Sequence, residues 1–273
     1  MSKPHKKKIK GLSKYQHYPK TLLAKLGTIT VEIDFLERYI SGRTKPVHFM
    51  SFSCKKFNLR HFKRISAQTS TCARKEIEWF CENFFIPDIF KMDNGLAFIG
   101  SASGKRSLSK IVIMLLKLKV IPVFTNPRSP WNNGSVEGSN SVFAKNFWNK
   151  FVFKNLQEID RRLKAFNKSS LKRSKFNKKN FKQITKKKFI PKTYFIRKVY
   201  EGQKSKKGEI NILNEKINLP KSYINLFTLS EWNLKTETLK VLFEKEQKKK
   251  IIKKIKFKIN KRSRMGALIS YEP

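Results

Sequence analysis

The order of strand-like and helix-like segments between residues 28 and 150 restricts the fold of this chain more than any other feature. Apolar and polar side chains alternate over residues 28–35, which is typical of a half-buried strand. A turn at 41–44 separates that strand from two further predicted strands, over 47–53 and 57–66. The rest of the region predicts, in order, a helix over 72–85, a strand over 89–92, a helix over 108–118, a strand over 120–124 and a helix over about 135–150. This order is typical of an α/β fold with a mixed sheet.

The charge of the chain predicts a polyanionic partner. Its 273 residues include 62 Lys and Arg but only 19 Asp and Glu, which gives a formal net charge of +43. The Lys-, Asn-, Ile- and Phe-rich composition of an AT-rich genome would explain part of this excess, but it does not readily produce a pI near 10.4 by itself. Lysines and arginines gain affinity for phosphates by releasing counterions, so we expect nucleic-acid binding.

Cysteine and histidine usage argues against several other classes of protein. The three cysteines form no Cys-x-x-Cys pair, and the four histidines lack ligand spacing to them, so we expect neither a disulfide framework nor a closed zinc site. No apolar run approaches the length of a membrane span, and the basic N-terminus lacks the apolar region of a secretory signal. We therefore expect a cytoplasmic protein, associated with the nucleoid and not with a membrane.

Composition divides the chain into five regions. The Lys- and Asn-rich run at 172–188 is typical of a linker or of a segment that follows a phosphate backbone. Beyond it, five or six short strands predict a small β-barrel. The predicted regions are a basic leader (1–26), an α/β core (27–152), a helical and basic linker (153–190), the barrel (191–260) and a basic tail (261–273).

Three acids stand beside strand and turn signals in a chain that has few acids. Asp34 lies in the first strand, Asp93 ends a short strand, and Glu137 begins a helix after a turn that contains proline and glycine. Ligands in α/β sheets collect where strand ends converge, so the three acids are candidates for one site. Each also has an ordinary explanation: a surface acid, part of an Asp-Asn-Gly turn, and a charge that stabilises a helix dipole.

Together the three acids predict a site for phosphoryl transfer on DNA. Mg²⁺ prefers a few carboxylates together with water and phosphate oxygens. Two such ions about 3.5–4 Å apart clamp the attacking and leaving oxygens of an in-line displacement. Without a cation, three converging carboxylates would repel one another. The hypothesis is that Asp34, Asp93 and Glu137 are catalytic and bind two Mg²⁺ or Mn²⁺ ions.

Residues 28–150 resemble the catalytic core of the DDE transposase and retroviral-type integrase superfamily, including insertion-sequence transposases. The resemblance rests on Asp34-Phe35, on the D-N-G tripeptide at 93–95, and on a P-x-x-P-x-x-N-G-x-V-E motif with an asparagine three residues later. The residues that match the motif are Pro127, Pro130, Asn133, Gly134, Val136, Glu137 and Asn140. The resemblance implies a ribonuclease-H-like mixed five-stranded sheet with flanking helices, followed by a small C-terminal β-barrel.

The same resemblance implies metal-dependent DNA 3′-end cleavage and strand transfer, as in transposition and DNA integration. It implies double-stranded DNA, both element ends and target, as the partner of a homo-oligomer. The N-terminal helix-turn-helix or zinc module of the family is not evident, so either a separate helix-turn-helix subunit supplies end recognition or the reading frame is truncated. The spacing between the second and third acids is longer than usual, which fits an insertion at 100–107. Gly138 stands where a basic residue often follows the glutamate.

Several further residues are candidates for DNA contacts because they flank the three acids and carry cationic, amide or aromatic side chains. Two other functions stay open. One is an inactive remnant of a transposase that only binds DNA, and the other is a ribonuclease-H-like nuclease without strand transfer. The candidate DNA contacts are Asn94, Arg128, Trp131, Asn133, Asn140, Lys145 and Lys150.

Overall fold

The computed structural model describes residues 18–42, 44–100, 104–127, 129, 134–178, 181, 189–203 and 206–260. Most of the predicted leader, the whole predicted tail and much of the lysine-rich run at 172–188 lie outside these residues. Within the described part of the chain, no helix combines the length and the apolar character that a bilayer span requires.

Helices and strands alternate through the first two thirds of the chain in the predicted order. The elements are α1 (Lys20–Ala24), β1 (Thr30–Arg38), β2 (Val47–Cys54), β3 (Leu59–Ile65), α2 (Ser70–Asn83), β4 (Ile89–Met92), α3 (Leu96–Ile99), α4 (Lys110–Lys117), β5 (Ile121–Phe124), α5 (Gly134–Asn146) and α6 (Leu156–Lys172). The remaining elements are strands: β6 (Lys192–Lys198), β7 (Tyr200–Glu201), β8 (Gly208–Ile212), β9 (Glu215–Leu219), β10 (Phe227–Asn233), β11 (Thr238–Lys245) and β12 (Lys248–Lys256).

The central sheet is larger than the five strands that the sequence predicted. Its strand order is β12-β11-β10-β6-β5-β4-β1-β2-β3, so the expected mixed sheet, β3-β2-β1-β4-β5, forms one part of nine strands. Strand β6 pairs in parallel with the outer edge of β5. An uncovered edge exposes unpaired N–H and C=O groups, and β6 satisfies them.

The small barrel expected over 191–260 is not confirmed. Four of its predicted strands, β6 and β10 to β12, continue the central sheet, while β7, β8 and β9 form a separate three-stranded sheet. The prediction of several short strands in this region was correct. The pairing partner was not readable from them, because strand propensity does not specify which free edge a strand will join.

Side-chain hydroxyls fix where two of the helices begin. The side chain of Thr69 accepts a hydrogen bond from the backbone N–H of Cys72, so α2 begins at Ser70, two residues before the predicted start. Ser109 does the same for α4, accepting from the N–H of Val112. Both helices then bury their apolar stripes against one face of the sheet.

The two faces of the sheet bury separate cores because side chains alternate along each strand. On one face, Val31 and Ile33 of β1 pack with α2 and α4. On the other face, Leu36 of β1 packs with aromatic residues of α5, of the segment after it and of α6, including Phe143 and Phe147, which are fully buried. Helix α5 therefore lies across the face of the sheet that Asp34 shares with Leu36.

Helix α6, which begins the predicted linker, packs along β3 at the open edge of the sheet. The side-chain amide of Asn167 accepts from the N–H of Phe62 at 3.1 Å and donates to the same residue's carbonyl at 2.8 Å. The hydroxyl of Ser170 donates to the carbonyl of Arg60 at 3.0 Å. These bonds occupy backbone groups that would otherwise face solvent or another strand.

We predict that Asn167→Ala lowers the free energy of unfolding by about 1–3 kcal/mol, because two backbone groups of the edge strand lose their partner. Denaturant unfolding followed by circular dichroism measures the change. Lys168→Ala, an exposed neighbour on the same helix, is the control and should change the stability by less than about 0.5 kcal/mol. Equal stability of the Asn167 variant and the wild type would contradict this role for α6.

Candidate active site

The parallel pairing of β1 with β4 brings two of the three predicted acids together. The register pairs Val31 with Phe90 and Glu32 with Lys91. Two residues further along both strands, the same register sets Asp34 beside Asp93, which directly follows the last residue of β4. Neighbouring strands lie about 4.8 Å apart, so these two carboxylates emerge side by side on one face of the sheet.

Helix α5 lies over that face of the sheet and contacts Asp34. The side-chain amide of Asn140 donates to Asp34 Oδ2 at 3.0 Å, and the backbone N–H of Phe35 donates to Asp34 Oδ1 at 2.9 Å. Glu137 lies one turn before Asn140 on the same side of the helix. The predicted third acid is therefore carried by the element that contacts the first.

Burial and like charge both act on the pair of aspartates. Burial, and after it the charge of Asp93, raises the pKa of Asp34 to about 7, although the bonds from Phe35 and Asn140 oppose the rise. Burial also raises the pKa of Asp93, against a 2.9 Å hydrogen bond from the N–H of Gly95. Among the residues that the structure describes, no cationic side chain contributes to either shift.

Glu137 lies beside the aspartate pair, but the three acids are not close enough together to form one set of metal ligands. Its charge makes the smallest contribution to the raised pKa of Asp34. Its own pKa is raised by partial burial and by the charge of Glu32, and Lys91 opposes that rise. Among the described residues, no three His, Cys, Asp or Glu side chains are grouped closely enough to hold one metal ion. The structure thus pairs Asp34 with Asp93 and leaves Glu137 adjacent to them.

The aspartate pair fits a hard divalent cation on chemical grounds. Two partly buried carboxylates have raised pKa values and no positive partner within the described part of the chain, and carboxylate oxygen is the ligand that Mg²⁺ and Mn²⁺ prefer. Asp34 and Asp93 would hold the ion, and Glu137 would supply a further carboxylate from α5.

A second acid on β1, Glu32, is part of the site and was not among the predicted residues. Its Oε1 accepts from Lys91 Nζ at 3.1 Å, and its Oε2 accepts from the N–H groups of Ser135 and Val136 at 2.9 and 3.0 Å. The period-two alternation places Glu32 on the same face as Asp34, which was the available sequence signal. Its partners on β4 and α5 were not readable from that pattern.

Arg197 of β6 was also missed, and it fixes the loop that follows Asp93. Its guanidinium donates to Asn94 Oδ1 and to the carbonyl of Thr125, each at 2.8 Å. The side chain of Asn94 in turn donates to the same carbonyl at 2.6 Å. Burial lowers the pKa of Arg197 to about 9, so the group stays protonated at neutral pH. Sequence alone favours an exposed arginine, because buried ones are rare.

The candidate DNA contacts have different positions in the structure. Asn94 and Asn140 point into the protein, where Asn94 binds Arg197 and Thr125 and Asn140 binds Asp34. Lys145 and Lys150 are exposed. Contact of these four residues with DNA stays a prediction. The remaining three candidates, Arg128, Trp131 and Asn133, lie outside the described residues.

Comparison with solved structures finds retroviral integrases. The catalytic core domain of BIV integrase is 14% identical and aligns over 53% of this chain and 82% of that chain, with a TM-score of 0.37. The HTLV-2 integrase catalytic core domain in complex with magnesium is 16% identical over 54% of this chain and 84% of that chain, with a TM-score of 0.37.

A third likeness spans more of the chain. A chain of the simian T-cell lymphotropic virus intasome in complex with PP2A regulatory subunit B56 gamma is 12% identical over 87% of this chain and 81% of that chain, with a TM-score of 0.43. No family model matches the chain, and no curated protein is similar to it in sequence. All three TM-scores are below 0.5, so the function of this chain has to be argued from its own residues.

We predict that Asp34→Asn stabilises the metal-free protein at pH 8. A folded-state pKa of about 7, above the ordinary value of 3.8, means that Asp34 contributes stability at low pH and that this contribution is lost as the pH rises from about 4 through 7. The variant's advantage in free energy of unfolding should be on the order of 2–4 kcal/mol at pH 8 and should disappear near pH 4. Denaturant unfolding at both pH values measures it, with Glu37→Gln, an exposed acid of β1, as the control.

The same pair of variants tests cation binding. Mg²⁺ at pH 8 should raise the melting temperature of the wild type and of Glu37→Gln, because an ion that binds only the folded state stabilises it. It should leave the melting temperature of Asp34→Asn unchanged. An equal Mg²⁺ response of all three proteins would remove Asp34 from the cation site.

Proposed function

We propose that this chain is a DDE-type transposase or integrase that cleaves DNA 3′ ends and transfers the cleaved strand into a second DNA. The observation that supports this most strongly is the parallel register that carries Asp34 and Asp93 side by side, with α5 bonded to Asp34 through Asn140. The proposed metal ligands are Asp34, Asp93 and Glu137.

Each of these residues has a defined part in the proposed reaction. Two Mg²⁺ or Mn²⁺ ions would activate the attacking hydroxyl or water and stabilise the leaving 3′-oxygen. Asp34 and Asp93 would carry negative charge with a cation bound, in a partly buried position where the attraction between them and the cation is less screened by water. Asn140 keeps the Asp34 carboxylate in one orientation by donating to Oδ2. The Asn94–Arg197 contact fixes the backbone that follows Asp93.

The distribution of charge supports DNA as the substrate. The chain has 62 Lys and Arg against 19 Asp and Glu, so its surface attracts polyanions. At the far edge of the sheet, the nine residues of β12 read KKKIIKKIK, and every one of their lysines is exposed. Such a surface would bind phosphates of any sequence, while the aspartate pair would act on the strand that reaches it.

We predict that Asp93→Asn abolishes 3′-end cleavage and joining while DNA affinity stays within about twofold of the wild type, because the substitution removes a metal ligand and leaves the basic surface intact. Labelled duplexes copied from the DNA on either side of the coding sequence are incubated with supercoiled plasmid and Mg²⁺. Gel analysis separates cleaved from joined products, and fluorescence anisotropy gives affinity. Glu37→Gln serves as the matched control and should join DNA at the wild-type rate.

The products distinguish the proposal from its rivals. Joined product with the wild type and none with Asp93→Asn is the expected result. Cleavage without joining would indicate a ribonuclease-H-like nuclease, and binding without either reaction would indicate an inactive DNA-binding remnant. Joining by Asp93→Asn at the wild-type rate would contradict the assignment of the acids.

A further inference from the structure

The carboxylate of Glu32 joins three elements of the fold at one point. From β1 it bonds to Lys91 on β4 and to the N–H groups of Ser135 and Val136 at the start of α5, with distances of 2.9 to 3.1 Å. The side chains of Glu32 and Lys91 are only 12% and 13% exposed. We call Glu32, Lys91 and these two N–H groups the Glu32 clamp.

Each member of the Glu32 clamp precedes one of the three proposed metal ligands by one or two residues in the sequence. Glu32 precedes Asp34 by two residues, Lys91 precedes Asp93 by two, and Ser135 precedes Glu137 by two. On the two parallel strands, this spacing keeps clamp and ligand on one face of the sheet. The clamp therefore fixes the relative positions of the same three segments that carry the acids.

Repulsion among the three acids would push apart the segments that the Glu32 clamp holds together. The charges of Asp93 and Glu137 both act unfavourably on Asp34, and α5 carries Glu137 towards them. The first N–H groups of a helix have no acceptor within the helix, and they sit at its positive end. A buried carboxylate that accepts two of them attaches α5 to β1, and the ammonium of Lys91 balances the remaining charge.

We propose that Glu32 is a positioning residue, which holds β1, β4 and the start of α5 so that Asp34, Asp93 and Glu137 are arranged to receive a cation before it binds. The inference rests on the proposed function only for the identity of the ligands that it positions. Glu32 touches neither substrate nor metal in this role, and it acts through α5 and Lys91.

Hydrogen exchange measures the clamp directly, because Glu32 is the acceptor for the N–H groups of Ser135 and Val136. Glu32→Ala should speed exchange at both amides by about 10-fold or more, as expected for loss of a charged hydrogen bond. The Mg²⁺ concentration at half saturation, measured from the rise in melting temperature, should increase by roughly 10-fold, which is the usual effect of removing a residue that supports a metal ligand. Glu37→Ala, on the exposed side of the same strand, should change neither value.

Two further readouts separate positioning from a general loss of structure. In a single-turnover joining assay, Glu32→Ala should lower the rate at saturating DNA about 10-fold or more while the half-saturating DNA concentration stays within about twofold. Glu32→Gln keeps an acceptor oxygen for α5, so it should restore slow exchange and most of the Mg²⁺ affinity. A variant that had merely lost stability would also bind DNA less well and would not be rescued in this way.

Unchanged exchange and unchanged half-saturating Mg²⁺ in Glu32→Ala would overturn the inference. If Glu32→Ala does not fold, Lys91→Met replaces it as the test, because this substitution removes one partner of the Glu32 clamp and leaves α5 attached. An unchanged half-saturating Mg²⁺ concentration in Lys91→Met would then contradict the inference. If the wild type does not join DNA, only the proposed function is contradicted, because hydrogen exchange and Mg²⁺ binding still test the Glu32 clamp. Normal joining by Glu32→Ala, with an active wild type, would end the clamp alone.

Discussion

Two aspartates lie side by side and partly buried in this protein because β1 and β4 run parallel in a single register. The pairing of Glu32 with Lys91 fixes that register and sets Asp34 next to Asp93. Their burial costs free energy that a polar surface would not impose, and it raises the pKa of both groups. The arrangement is unfavourable in the absence of a cation, and a bound cation would offset that cost.

Contacts around the aspartate pair hold the strands and the helix that carry the acids in place against their mutual repulsion. Asn140 orients the Asp34 carboxylate, and the Glu32 clamp attaches α5 to the two strands. On the other side, Arg197 reaches from β6 to Asn94 and fixes the turn after Asp93. The strands that follow α6 thus contact the turn after Asp93 through β6, which belongs to the central sheet.

Local patterns of the sequence predicted the elements of the fold well, and long-range pairing accounts for what they did not predict. Alternation over 28–35 identified β1, and helical spacing identified α2 and α4, because these signals arise within a few residues. The addition of β6 to β5 joins segments that are far apart in the chain, and strand propensity does not select a partner. At the candidate site, Asp34, Asp93 and Glu137 were predicted from their motifs. Glu32 and Arg197 were not, because their roles come from partners on other elements.

The central claim is that Asp34 and Asp93 together bind a divalent cation, and anomalous diffraction tests it most directly. A crystal of the full chain soaked in Mn²⁺, with data collected near the manganese absorption edge, would locate every bound ion. The account predicts an anomalous peak between the two carboxylates, about 2.1 Å from an oxygen of each, as expected for an octahedral hard cation. A well-ordered site with no peak between them at saturating Mn²⁺, or a peak held by other residues, would contradict it.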